Sequence, residues 1–195
     1  MRKYSVRPAI TLRGRKFKGL RGFAGKPFHP PLTDIPIGAY ILGAAFDVIS
    51  VIGGHSHAWS RELWHAGTFA FIGGAIVSVF AALTGLFDWL RSSEAGTQAR
   101  RTANSHATIM LTVTVLAIVN IALRLNDYHT RAYTPVGIMV LSVVIAGLVS
   151  WGATYGGSLV FDYGFNVETA GDSPVWHASE KDVLPGRHGE EGDAS

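Results

Sequence analysis

The chain has 195 residues, of which 48% are hydrophobic and only 16% are charged, and it contains no cysteine. Soluble domains carry about 25% charged residues, so this composition favours a membrane protein. The absence of cysteine excludes disulfides, Cys-ligated zinc and any iron-sulfur cluster held by this chain alone.

Charge is concentrated at the two ends of the chain. Residues 1–33 contain nine Lys or Arg and no Asp or Glu, whereas residues 162–195 contain eight Asp or Glu and two basic residues. Because the basic end adjoins a long apolar region, it favours anionic lipid headgroups over nucleic acid as a partner. We predict three regions: a basic arm (1–33), a transmembrane domain (34–162) and an acidic polar tail (163–195).

Four apolar runs divide the central region. Each is near or above the roughly 18–20 residues that cross a hydrocarbon core, and one of them is apolar all round, which argues against a soluble bundle. The sequence therefore predicts an all-α fold, an integral membrane four-helix bundle, with runs at about 35–53, 63–90, 105–124 and 135–161.

The distribution of Lys and Arg between the flanks predicts the orientation. The basic arm and the loop after the second run lie on one side, and that side carries most of the cationic residues. By the positive-inside rule both termini should be cytoplasmic, and the protein should be a multi-pass component of the inner (plasma) membrane.

Small and polar residues predict which helix faces point inward, because small residues let membrane helices approach closely and buried polar groups need partners. Three stripes with helical spacing result. They are Gly67, Gly74, Ser78, Ala81, Gly85 and Asp88 in the second run; His106, Met110, Val113, Ala117, Asn120 and Arg124 in the third; and Gly147, Ser150, Thr154 and Gly157 in the fourth.

Several polar residues are candidates for structural pairs. We expect Asp47 to point inward toward Arg124 or His65, and Asn120 to form a hydrogen bond between helices. We expect Asp88 to pair with Arg91 or His106. Asp34 is expected near the first turn of the first helix, where the helix dipole favours negative charge, after an extended approach through Pro30 and Pro31.

These residues also resemble a known family. The segments "HPPLTDIPIGA", "LTGLFDWL", "SHATIMLTVTVLAIVNIALR" and "GGSLVFDYGFNV" look like a bacterial four-helix membrane domain of unknown function, over about residues 27–168. Some members are fused to, or encoded near, Rieske-type iron-sulfur modules. The resemblance carries over to His29, Pro30, Asp34, Pro36, Asp47, Gly85, Asp88, His106, Asn120, Arg124, Gly157 and Gly164.

The resemblance implies a membrane fold and a redox neighbourhood. Because this chain lacks Rieske ligands, any such cluster must sit on a partner protein. We therefore expect a membrane subunit that assembles with, or anchors, a larger redox complex, and that has no catalytic activity of its own.

Two alternatives remain open from the residues. One is a protein that binds b-type haem or quinone, with His29, His65 and His106 as candidate haem ligands: His29 would pair with His106, and His65 with a histidine on its own side of the membrane, His55, His57 or His129. The other is a small transporter or a metal-binding protein, with His29, Asp34, Asp88 and His106 as conceivable metal ligands.

Overall fold

The computed structural model describes residues 19–20, 27–165 and 167. This part of the chain forms four long helices, α1 (His29–Gly53), α2 (Trp59–Ser92), α3 (Gln98–Asp127) and α4 (Val136–Phe161), and a short 3-10 turn, Gly54–Ser56, follows α1. All four are long and apolar enough to cross a membrane. The predicted all-α membrane bundle is confirmed, whereas most of the basic arm and of the acidic tail lies outside the described residues.

The helices close into a bundle in which sequence neighbours are also neighbours in space. α1 packs against α2, α2 against α3 and α3 against α4, and α1 also packs against α4. α1 and α3 therefore lie diagonally across the bundle. Inward side chains of these two helices face each other through the core.

The start of α1 differs from the prediction. The helix begins at His29, and Pro30 and Pro31 lie in its first turn instead of forming an extended approach. Proline is tolerated there because the first N–H groups of a helix have no partner within the helix. His29 is thus fixed on a helix rather than in a flexible connection, and Asp34 lies in the second turn with its side chain exposed.

The centre of the bundle is a small apolar core to which every helix contributes. Its fully or almost fully buried members are Tyr40, Phe71, Val113, Ala117, Ile145 and Val149. The outer faces are also apolar, with Leu42, Leu83, Val115 and Val144 among the exposed side chains. A helix that is apolar on all sides is typical of a membrane span, where the outer face contacts lipid.

The predicted inward stripes of α2 and α3 are confirmed, but that of α4 is wrong. Gly147, Ser150 and Thr154 are exposed. The buried face of α4 instead carries Ile138, Ser142, Ile145, Val149, Gly152 and Leu159. Because α4 is apolar all round, its small residues did not identify its inner face. That face is identified by the contacts of Ser142 and Gly152 with α3.

Candidate functional site

One end of the bundle contains a buried ion pair. Arg124 in the last turn of α3 donates from Nη2 to the Asp47 carboxylate of α1, and both side chains have no exposed surface. Of the two partners predicted for Asp47, the structure therefore has Arg124. The two charges join the diagonal helices of the bundle.

Polar groups from the other helices complete this centre. Arg124 Nε donates to Asn120 Oδ1 at 2.5 Å, Nη1 to Thr68 Oγ1 at 3.3 Å, and Nη2 also to Ser142 Oγ at 3.2 Å. The second Asp47 oxygen accepts from Thr134 Oγ1 at 3.0 Å. Every helix and the loop before α4 thus contribute a partner to the two charges.

Aromatic rings and a glycine shape the space around the guanidinium. Arg124 Cζ lies 4.9 Å from the ring centroids of both Trp64 and Phe71. A Cβ at Gly67 would lie 3.0 Å from Asp47 Oδ1 and 3.4 Å from Arg124 Nη1. A buried ion pair is stable only when its remaining hydrogen-bonding groups are satisfied, and here they are used within the bundle. The structural role predicted for these residues stays a prediction.

The opposite end of the bundle brings two histidines together. His29 is the first residue of α1 and His106 lies in the third turn of α3, and their ring centroids are 6.5 Å apart with the planes at 85°. Histidine rings near the other end are closer to their aromatic neighbours, for example 4.5 Å between His65 and Tyr128. The rings of His29 and His106 thus lie roughly perpendicular to each other, and their centroids are farther apart than in those ring contacts.

Backbone carbonyls of the intervening helices hold both imidazoles. Nδ1 of His29 lies 2.9 Å from the Ala81 carbonyl oxygen of α2, and Nδ1 of His106 lies 2.9 Å from the Gly152 carbonyl oxygen of α4. A carbonyl only accepts, so each Nδ1 carries the proton and donates. In the neutral form of each ring Nε2 is then the unprotonated nitrogen, which is the atom that can bind a metal.

Glycines provide the clearance for these rings. A Cβ at Gly85 of α2 would lie 2.8 Å from Cε1 of His29, and a Cβ at Gly156 of α4 would lie 3.1 Å from Cε1 of His106. Cβ atoms in proteins essentially never approach other heavy atoms more closely than 3.0 Å. Gly85, predicted only as part of a packing stripe, thus gives His29 its space.

The chain matches the family model described as "Predicted membrane protein (DUF2231)" over residues 25–169. That range includes all four helices and both polar centres. The chain belongs to the DUF2231 family. No curated protein and no solved structure matches it significantly.

The match confirms the predicted membrane domain family for this DUF2231 chain. The association with Rieske-type proteins, which the resemblance also implied, stays a prediction.

The histidines near the Asp47 and Arg124 end of this DUF2231 protein have aromatic neighbours. His65 stacks on Tyr128, His55 meets Tyr133 edge-on and His57 lies against Trp59. The pairing of His65 with His55, His57 or His129 stays a prediction. His65 Nε2 is buried without a hydrogen-bond partner among the described residues.

Asp88 also has a partner other than those predicted. Its Oδ1 accepts a hydrogen bond from the Leu20 backbone N–H at 2.8 Å, and the residue is 5% exposed. Arg91, one predicted partner, lies over the Phe87 ring, and His106, the other, is bonded to Gly152. Within the described chain, no group of three or more His, Asp or Glu side chains is placed to hold a metal ion.

Several contributors to the two centres were not predicted. Ala81 and Gly152 act through backbone carbonyls, which no side-chain pattern reveals. Thr84, whose Oγ1 lies 3.2 Å from His29 Nδ1, and Thr134 resemble ordinary helix and loop threonines in the sequence. In the sequence, the one indication of space for the His106 ring was that Gly152 and Gly156 lie one helical turn apart.

Proposed function

We propose that this protein is a b-type cytochrome, an electron-transfer membrane protein in which His29 and His106 would hold one haem. The observation that carries the proposal is the pair of neighbouring imidazoles on diagonal helices, each with Nδ1 bonded to a backbone carbonyl. Cofactor sites in helical bundles are typically built from such facing side chains.

The donor set fits haem iron. A metal-ligating histidine usually donates its other ring N–H to a carbonyl or carboxylate, which fixes the tautomer and the ring orientation. The imidazoles of His29 and His106, whose ring centroids lie 6.5 Å apart, would hold the iron from two different helices.

Bound haem supplies reversible one-electron chemistry. The chain's own residues orient the two histidine rings and form the surroundings of the site. Ala81 and Gly152 hold the two rings, Gly85 and Gly156 leave room for them, and the lipid-facing helices limit access of water. The Asp47 and Arg124 centre fixes the diagonal helices α1 and α3 at the other end.

A haem near one membrane face needs a donor and an acceptor. We therefore keep, as part of the proposal, the prediction that the chain is a subunit of a larger redox complex or its membrane anchor. Because the chain has no cysteine, an iron-sulfur cluster of the Rieske type would belong to the partner.

The test is a visible spectrum of protein purified from haem-replete cells, oxidised and then reduced with dithionite. We expect a Soret band and sharp reduced bands that are lost in His29→Ala and in His106→Ala. The matched control is His65→Ala, a histidine in the same bundle that should leave the spectrum unchanged. A folded, monodisperse wild type without these bands contradicts the proposal.

A further inference from the structure

The end of α2 nearest the histidine pair carries a buried carboxylate that belongs to neither of the two polar centres. Asp88 lies one turn beyond Thr84 and Gly85, which contact the His29 ring, so it shares their face of α2. Its side chain is 5% exposed. Burying a carboxylate is costly unless it is hydrogen-bonded, so its partner indicates what it does.

That partner is a short piece of the basic arm. The Leu20 N–H donates to Asp88 Oδ1 at 2.8 Å, and the Leu20 carbonyl accepts from the Phe28 N–H at 3.1 Å. Phe28 is the N-cap of α1 and directly precedes His29. One residue of the arm therefore connects α2 to the first turn of α1 through both of its peptide groups.

This connection ties the start of α1 to α2. Phe28 has no side-chain capping bond at the start of the helix. His29 must nevertheless lie with Nδ1 2.9 Å from the Ala81 carbonyl oxygen and its ring edge against Gly85. The hydrogen bonds of Leu20 supply a restraint next to the ring.

From these contacts we infer that Asp88 is a positioning residue for His29: it clasps the arm at Leu20, and the clasp holds the first turn of α1 so that the imidazole stays on the haem iron. This inference rests on the proposed function. It predicts that removal of the hydrogen-bond acceptor at residue 88 releases His29 from the iron while the rest of the bundle remains folded.

The first experiment compares Asp88→Ala and Asp88→Asn in the haem-loaded protein. Asparagine keeps a side-chain oxygen that accepts from Leu20, whereas alanine removes it. We expect Asp88→Ala to shift the ferric spectrum from low-spin to high-spin and to let the ferrous haem bind carbon monoxide. Asp88→Asn should behave as wild type. A low-spin, carbon-monoxide-resistant Asp88→Ala protein overturns the inference, and so does a high-spin Asp88→Asn protein.

A second experiment tests the clasp without haem. Since the chain has no cysteine, spin labels can be placed on Leu20→Cys and Leu90→Cys, two exposed side chains near the clasp. We expect a narrow distance distribution that broadens in the Asp88→Ala background and not in Asp88→Asn. The same distribution in all three backgrounds overturns the clasp. If the distance distributions change as expected but the protein shows no haem bands, the proposed function is refuted and the clasp is not.

Discussion

Asp47 and His29 lie at opposite ends of the bundle, and contacts with other helices fix the position of each. Asp47 was expected to pair inward because a carboxylate deep in an apolar run needs a cation, and Arg124 supplies it. The stretch through Pro30 and Pro31 was expected to be extended, yet these prolines lie in the first turn of α1, which begins at His29. A charge within an apolar run predicts from the sequence that a counter-charge lies nearby. The start of a helix, in contrast, depends on contacts with other helices.

Substitution of the buried carboxylate should be costly. Asp47→Asn leaves Arg124 charged without its counter-ion, and breaking a buried pair in this way costs about 3–5 kcal/mol. Thermal unfolding in detergent measures the effect. Asp127→Asn is the matched control, because Asp127 pairs with Arg131 at the surface, where the side chains are 31% and 49% exposed, and such pairs contribute about 1 kcal/mol or less. Equal losses in the two variants would refute the structural role of the buried pair.

The glycine beside His29 gives a sharper residue-scale prediction for the haem site. Gly85→Ala places a Cβ 2.8 Å from His29 Cε1, so we expect the ring to move and haem content per protein to fall several-fold. Gly73→Ala is the control on the same helix, because no heavy atom lies within 4 Å of its added Cβ. Alanine there should retain haem and strengthen the helix slightly. Full haem occupancy in Gly85→Ala would count against the proposed position of the His29 ring.

At the scale of helices, the sequence predicted number, approximate bounds and two of three inner faces. α2 and α3 carry charged or strongly polar residues, Asp88 and Arg124, that must face inward. α4 has no such residue between Val136 and Phe161, so its small residues suggested a face that is in fact exposed. The hydrogen bond from His106 to the Gly152 carbonyl, which orients α4, cannot be read from residue types.

The observed face of α4 predicts opposite results for two glycines. Gly152→Leu adds bulk where even a Cβ would lie 3.0 Å from Ile109 Cγ2 and Met110 Cε, so overpacking should cost about 1–3 kcal/mol or more. Gly147→Leu has no heavy atom within 4 Å of its Cβ and should leave stability unchanged. Unfolding temperatures of the two detergent-solubilised variants provide the comparison. Greater destabilisation by Gly147→Leu would mean that this face is packed against another helix.

At the scale of the whole molecule, four spans place both ends of the described chain on the same side of the membrane. The positive-inside rule predicts that this side is cytoplasmic because it carries the basic arm, and the two histidines would then lie near the cytoplasmic face. We expect a reporter active only outside the cytoplasm to be inactive when fused at the C-terminus and active when inserted in the loop at residues 128–133. The reverse pattern would contradict the predicted orientation and place the histidine pair at the other face.

The central claim is that α1 and α3 share one iron through His29 and His106. Low-temperature electron paramagnetic resonance of the ferric protein tests it most directly, because two axial imidazoles give a low-spin signal and loss of either gives a high-spin one. We expect a low-spin signal in the wild type and in His65→Ala, and a high-spin or absent signal in both His29→Ala and His106→Ala. A wild type without a haem signal, or a low-spin signal that survives either of these two substitutions, would contradict the account.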